Sequence, residues 1–190
     1  MLLTLLALPL GTLIGLFIYL MSVDDHSWVK KVAQYYRIIV RGTPMLVLLL
    51  FIFYVFFAKG NGMIAAVLAF AINFSNFAVA IIQSSIDAVG REQIEAGRAL
   101  GLTNMQNLRY VVLPQAVRYA MPAYKFQAVG LLKSTSIVGY VAVQDLTQAT
   151  QAIRNGTGQS LLPLLAVTVI YFILAWLLVK LLDKSVGMLN

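Results

Sequence analysis

The chain contains 190 residues, of which 61% are hydrophobic and only 11% are charged, whereas soluble domains carry about 25% charged residues. This composition excludes an ordinary soluble domain and predicts a membrane protein. The net charge of +7 does not come from a dense Lys/Arg stretch on a solvated surface, which argues against a nucleic-acid partner. The chain has no cysteine and one histidine, His26, so disulfides and two-histidine metal sites are excluded and no metal site is predicted.

Five mainly apolar segments predict an all-α integral membrane protein with five transmembrane helices, because about 20 apolar residues cross the hydrocarbon core. Within a single domain covering residues 1–190, we place the spans at about 1–23, 42–58, 62–84, 119–142 and 158–181. The first span starts at Met1 without the basic region and cleavage site of a signal peptide, and its abrupt start suggests a truncated chain or a late start codon. The fourth contains Lys125 and Lys133, so it lines a pathway or is wrongly placed.

The basic residues outside the spans predict the orientation of the chain. If the N-terminus is outside, ten of them fall in cytoplasmic segments: Lys30, Lys31, Arg37, Arg41, Arg91, Arg98, Arg109, Arg118, Lys180 and Lys184. Two fall outside, Lys59 and Arg154. Cytoplasmic loops carry an excess of Lys and Arg, so we expect the N-terminus outside and the C-terminus in the cytoplasm.

The loop at 87–118 is predicted to contain two short helices. The segment 92–100 is typical of a helix that ends at Gly101, since glycine accepts the left-handed conformation found after helix ends. Thr103 and Gln106 have the spacing of a capping box, which predicts a second helix from residue 104.

The second helix carries an apolar stripe, and Leu113-Pro114 is expected to end it. The stripe consists of Met105, Leu108, Val111 and Val112. Such a pair of amphipathic helices on the cytoplasmic face could dock in a groove of a partner protein or lie on the lipid headgroups.

A spaced motif in this loop resembles the cytoplasmic signature of permease subunits in binding-protein-dependent ATP-binding-cassette importers. It reads Glu95-Ala96-Gly97, three residues, Gly101, nine residues, Val111, one residue, Leu113-Pro114. Gly97 and Val111 replace the Ala and Ile of that signature. Further stretches resemble the polar amino-acid permeases of the family: Arg41-Gly42-Thr43-Pro44 at the second span, 98–102, 109–116 and 131–136.

The resemblance implies a type I importer permease fold in a bacterial-type cytoplasmic (inner) membrane. It places a contact with the ATP-binding subunit dimer at Glu95, Ala96, Gly97, Gly101, Leu113 and Pro114. The small residues there would allow close backbone approach. Further implied partners are a second permease copy or sister permease, an extracytoplasmic solute-binding protein and the lipid bilayer. The chain has no Gly-Lys dipeptide and therefore no Walker loop, so ATP and Mg are expected on the partner ATPase and none on this chain.

Polar residues inside the spans are the candidates for an amino-acid substrate pathway: Asp145, Lys133, Ser134, Thr135, Ser136, Asn73 and Asn76. One continuous helix would separate Lys133 from Asp145 by about 18 Å, too far for both to hold one small amino acid unless the helix breaks near Gly139. The same residues could instead snorkel, bond their own helix backbone or join helices. Several positions that are often charged in the family are uncharged here, which slightly favours a neutral polar substrate.

Two other functional classes remain open at this stage. A membrane scaffold could use the same loop to dock a cytoplasmic partner without transport. An intramembrane enzyme is the weakest alternative, because His26 lies beside Trp28 at an expected interface, away from any nucleophile within a span.

Overall fold

The computed structural model describes residues 1–58 and 60–187, so Lys59, one of the two basic residues predicted to lie outside, is not among the described residues. The described chain folds into helices, separated by short loops. They are α1 (Leu2–Val23), α2 (Ser27–Gly42), α3 (Met45–Phe56), α4 (Gly62–Asp87), α5 (Arg91–Ala99), α6 (Asn104–Asn107), α7 (Leu113–Ser134), α8 (Leu146–Thr157) and α9 (Leu161–Gly187). A π-helical segment, Leu108–Val112, precedes α7, and a 3-10 segment, Thr135–Val141, follows it.

Among the described residues, three helices are long and apolar enough to cross a membrane individually: α1, α4 and α9. Two bent pairs raise the number of possible spans to five. They are α2 with α3, bent by 107°, and the helix Asn104–Val141 with α8, bent by 58°. The predicted all-helical membrane fold is confirmed, with up to five spans.

The helix found at the second predicted span, 42–58, is shorter than predicted. The helix there, α3, has 12 residues and a length of about 18 Å, short of the roughly 30 Å of hydrocarbon core. Gly42, Thr43 and Pro44 form the bend between α2 and α3. Gly42 ends α2, and Pro44 caps α3, because its ring fixes φ and it needs no amide partner there.

The helix α4 lies at the centre of the fold and packs against α1, α3 and α7. Phe70 and Phe74 of α4 are fully buried. The Phe74 ring and the Tyr124 ring of α7 pack in a T-shaped arrangement with their centroids 5.5 Å apart, and the Tyr124 hydroxyl lies 2.9 Å from Oγ1 of Thr12 in α1. These contacts join α1, α4 and α7 into one core.

The helix α9 lies at the edge of the fold. Only 6% of the residues in its most apolar stretch are buried within this chain, although Leu178 is almost fully covered. A helix that is apolar around its whole circumference and exposed on most sides is suited to contact with lipid.

The predicted helix end at Leu113-Pro114 is wrong. The helix runs without a gap from Asn104 to Val141. Pro114 lacks an amide hydrogen, and its ring would crowd the carbonyl four residues earlier, at Tyr110. Tyr110 lies in the π segment, whose wider turn explains how the helix passes through the proline.

Lys125 also has a different setting from the one expected of an intramembrane lysine. Its ammonium forms an ion pair with the carboxylate of Asp183 in α9. Asp183 follows the uncharged run that ends at Val179, so the pair lies where the apolar part of α9 stops.

Candidate functional site

The turn between α5 and α6 is held by local backbone and side-chain hydrogen bonds. Gly101 has a φ of +80°, the left-handed conformation predicted for it. Its N–H donates to the Arg98 carbonyl at 2.9 Å, and the Leu102 N–H donates to the Gly97 carbonyl at 3.1 Å. These two bonds form a Schellman motif, which satisfies carbonyls at the end of α5.

The predicted capping box at the start of α6 is confirmed. The Gln106 N–H donates to the Thr103 hydroxyl at 3.3 Å, and the Thr103 N–H donates to the Gln106 side-chain oxygen at 2.9 Å. Two otherwise unpaired helix donors are thereby satisfied. The Schellman motif and the capping box together fix the angle between α5 and α6.

Gly97 lies against the side chain of Asn107. It is buried, and a Cβ at this position would lie 2.6 Å from the Asn107 Oδ1. The Asn107 Nδ2 donates to the Ile94 carbonyl at 2.7 Å, so one amide side chain ties α6 to α5. The glycine in place of the family alanine makes room for Asn107, and its small size therefore serves contacts within this chain.

An apolar cluster anchors the loop to the rest of the chain. Val89, Val112 and Ala116 are buried together, and Ile86 and Ile94 pack against them. The cluster combines residues from the end of α4, from α5 and from the helix 104–141. We refer to residues 91–107, held in this way, as the loop module.

Several residues of the predicted ATPase contact lie on the outer surface of the loop module and its neighbouring helix. Glu95 and Ala96 are exposed, as are Leu113 and Pro114. Two large apolar side chains add to this surface, Leu100 at 83% exposure and Met105 at 70%. Leu100 was not among the predicted site residues, although an apolar residue beside Gly101 in a polar loop could have indicated it.

Most of the predicted pathway residues line cavities, but they do not all line the same one. Asn73 and Ser134 line one cavity of about 160 Å³ together with Gln127. Ser136 and Asp145 line another, of about 210 Å³.

Of the remaining pathway residues, Thr135 shares a further cavity, of about 440 Å³, with Asp145. Asn76 lines another cavity, which Arg41 also lines. Lys133 is exposed on the surface of this chain. Thr135 is buried, and its hydroxyl donates to the Leu132 carbonyl of its own helix at 2.7 Å, a backbone role considered for it from the sequence.

Asp145 lies where the chain turns into α8. The helix does break between Lys133 and Asp145, although three residues beyond Gly139: the 3-10 segment ends at Val141, Ala142 has a φ of 58°, and α8 begins at Leu146. The Asp145 Oδ1 accepts a hydrogen bond of 2.9 Å from the Gln148 N–H. Its Oδ2 is buried without a hydrogen-bond partner among the described residues. One carboxylate oxygen thus caps α8, and the other is available to a donor that enters the site.

Gln148 fixes the position of this turn. Its side-chain amide nitrogen, Nε2, donates to the Gly139 carbonyl at 3.0 Å, and its side chain packs where a Cβ on Gly139 would lie. Gly139 therefore marks a close approach of α8, while the change in chain direction occurs at Ala142. Among the described residues, no three His, Cys, Asp or Glu side chains are grouped closely enough to hold a metal ion.

Comparisons with known proteins agree with this architecture. A family profile described as binding-protein-dependent transport system inner membrane component matches residues 7–188. The chain is 33% identical to the L-cystine transport system permease protein of Bacillus subtilis over 180 residues, covering 93% of this chain and 77% of that protein. It is 27% identical to a putative glutamine transport system permease protein of Rickettsia typhi over 189 residues, covering 96% and 87%.

Solved structures of transporters also match this chain. A crystal structure of an amino acid ABC transporter with histidines matches with a TM-score of 0.85 and 36% identity, over 98% of this chain and 88% of that one. An inward-facing structure of the MetNI methionine ABC transporter has a TM-score of 0.78 at 22% identity, over 99% and 91%, which supports the fold alone. The chain belongs to the family of binding-protein-dependent transport system inner membrane components and, within it, to the amino-acid ABC transporter permeases.

Proposed function

We propose that this chain is the membrane subunit of an importer that moves a polar amino acid delivered by an extracytoplasmic binding protein. An ATPase dimer on the cytoplasmic side binds the loop module. The ATPase, and not this chain, holds ATP and Mg. A second copy or a sister permease completes the pathway, which opens alternately to the two sides as rigid bodies rock. The N-terminus lies outside and the C-terminus in the cytoplasm.

The observation that carries this proposal is the rigid loop module with an exposed apolar surface. Leu100 and Met105 expose most of their surface on a polar loop whose angle is fixed by the Schellman motif and the capping box. Isolated apolar patches on a polar surface are typical of protein docking sites. A rigid module can transmit displacement of the docked partner to the helix 104–141.

Asp145 is the proposed contact for the ammonium group of the substrate. Its buried Oδ2 lacks a hydrogen-bond donor among the described residues, and a buried acceptor without a partner is costly. An ammonium group supplies donors of the opposite charge. Ser136 lines the same cavity, and its hydroxyl can donate to a carboxylate or accept from an ammonium.

The docking surface can be tested with Leu100→Asp/Met105→Asp. We expect co-purification of the ATPase subunit with this double variant to fall by more than about tenfold, because aspartates would be desolvated at the centre of the contact. Arg91→Asp serves as the control, since it introduces the same side chain on the opposite side of α5. Unchanged co-purification of the double variant, with normal membrane insertion, would contradict the assignment of this surface.

Substrate contact at Asp145 can be tested by uptake in a reconstituted complex. Asp145→Asn keeps the shape and removes the charge, so we expect uptake of the transported amino acid to fall by about tenfold or more. Asp183→Asn is the matched control, because its exposed ion pair with Lys125 contributes little. Normal uptake by Asp145→Asn would remove this residue from the pathway. ATPase binding without uptake of any amino acid by the wild-type complex would favour a scaffold instead.

A further inference from the structure

A cationic cavity of about 560 Å³ lies between α2, α4 and the end of α1. Lys30, Arg37 and Arg41 line it from α2, together with Gln34. These four residues recur at the spacing of one helical face. The lining contains no Asp or Glu, so the cavity concentrates three positive charges without a carboxylate to balance them.

The helix α2 presents a different kind of residue on each of its faces. Trp28, Val32, Tyr35 and Ile39 form an exposed apolar stripe on the side opposite the cationic stripe. Between the two stripes, Ala33 is buried against Ile18 and Val79, and the Tyr36 hydroxyl lies 2.7 Å from the Ser75 Oγ. A helix with an aromatic and aliphatic face opposite a Lys/Arg face is typical of the membrane interface.

Asp24, whose carboxylate interacts with the charge of Lys30, has its own partner. It accepts a 2.8 Å hydrogen bond from the His26 N–H, and its carboxylate also lies 2.8 Å from the His26 Nδ1. The His26 hydrogen bonds, with a small contribution from the charge of Lys30, hold the pKa of Asp24 below its ordinary value. Within the described part of the chain, Arg37 and Arg41 form no ion pair.

The rest of the lining is partly apolar. Ile38 of α2 faces the cavity, and Phe77 and Ala80 of α4 lie on its opposite wall. Inorganic phosphate would neutralise the cations but leave these side chains in water. An amphiphile with a phosphate and a hydrocarbon chain satisfies both parts of the lining.

We propose that this cavity binds an anionic phospholipid, with the headgroup phosphate held by Lys30, Arg37 and Arg41 and one acyl chain lying along Ile38, Phe77 and Ala80. The planar guanidinium groups suit a phosphate because they can donate two parallel hydrogen bonds. Asn76, which is almost fully buried, supplies a neutral donor on the α4 side. This inference does not depend on transport or on the identity of the substrate.

Native mass spectrometry of the full chain tests the proposal, with phosphatidylglycerol or phosphatidylcholine added to the detergent-purified protein. We expect retention of phosphatidylglycerol and little retention of phosphatidylcholine. In Arg37→Gln/Arg41→Gln, phosphatidylglycerol binding should weaken by about 30-fold, from the loss of two cations near a phosphate. Lys31→Gln removes one charge from the same helix outside the cavity and should leave binding within about twofold of wild type.

Two further measurements distinguish a phospholipid site from a phosphate site, and a loss of charge from a folding defect. Arg37→Lys/Arg41→Lys keeps the charges but loses the parallel guanidinium hydrogen bonds, so its phosphatidylglycerol binding should lie between that of wild type and that of the glutamine variant. Inorganic phosphate at millimolar concentration should not displace the lipid. Equal retention of both lipids, equal binding by the glutamine variant, or displacement by inorganic phosphate would overturn the assignment of a phospholipid site.

Discussion

Gly97 and Asn107 show how a single residue position can set the geometry of the loop module. The absence of a Cβ at residue 97 lets the Asn107 amide reach the Ile94 carbonyl. The Asn107 Oδ1 is buried without a hydrogen-bond partner among the described residues. The Asn107 amide is therefore held by packing at its oxygen and by a hydrogen bond at its nitrogen. The two positions are therefore expected to tolerate substitution only together.

We expect Gly97→Ala to destabilise the loop module by about 1–3 kcal/mol, because the added methyl overlaps the Asn107 side chain. Hydrogen exchange of the amides at 91–107 should speed up accordingly. Gly90→Ala is the control, since a Cβ there meets no atom within 4 Å. In Gly97→Ala/Asn107→Ser, the shorter serine makes room for the methyl group and should restore part of the protection against hydrogen exchange. A wild-type exchange rate in Gly97→Ala alone would contradict this account.

At the scale of helices, α1 and α4 meet along a seam of small residues. A Cβ on Gly11 would lie 2.7 Å from the Ala71 carbonyl oxygen, and one on Gly15 would lie 2.5 Å from the Ala78 Cβ and 2.8 Å from the Ser75 carbonyl oxygen. Glycines four residues apart let helix backbones approach closely in membranes. The contact involves backbone atoms, which cannot move aside as a flexible side chain can.

Gly15→Ala should therefore lower the stability of the chain by about 1–3 kcal/mol, seen as a lower midpoint in thermal unfolding of the detergent-solubilised protein. Gly130→Ala provides the comparison, because the nearest atom to a Cβ there is the Gln127 Oε1 at 3.8 Å. Equal midpoints for the two variants would show that the seam has room for a methyl group.

The elements predicted correctly are those that depend on neighbours in sequence. The Gly101 turn and the Thr103 capping box are set by local hydrogen bonds, so a short stretch of residues determines them. The path through Pro114 depends instead on the π segment that precedes it, which the usual rule for proline in a helix does not predict. The pair of Lys125 and Asp183 joins residues 58 positions apart, and nothing in the sequence near Lys125 indicates its partner.

At the scale of the whole molecule, the distribution of charge predicts the orientation in the membrane. Because the chain has no cysteine, single cysteines can report it. We expect Asn155→Cys to react with a membrane-impermeant maleimide in intact cells, and Glu92→Cys to react only after lysis, because basic segments stay in the cytoplasm. Both positions are exposed in the structure, so failure to react reports sidedness, and the reverse pattern would invert the orientation.

The unbroken helix from Asn104 to Val141 also has a mechanical consequence. Its length of about 57 Å lets it act as a lever, with one end in the loop module and the other beside the Asp145 turn. A small tilt imposed at the module would displace the far end. The π segment, at Leu108–Val112, is the place where this lever can flex. Stiffening it would change how much of a tilt at the loop module reaches the Asp145 turn.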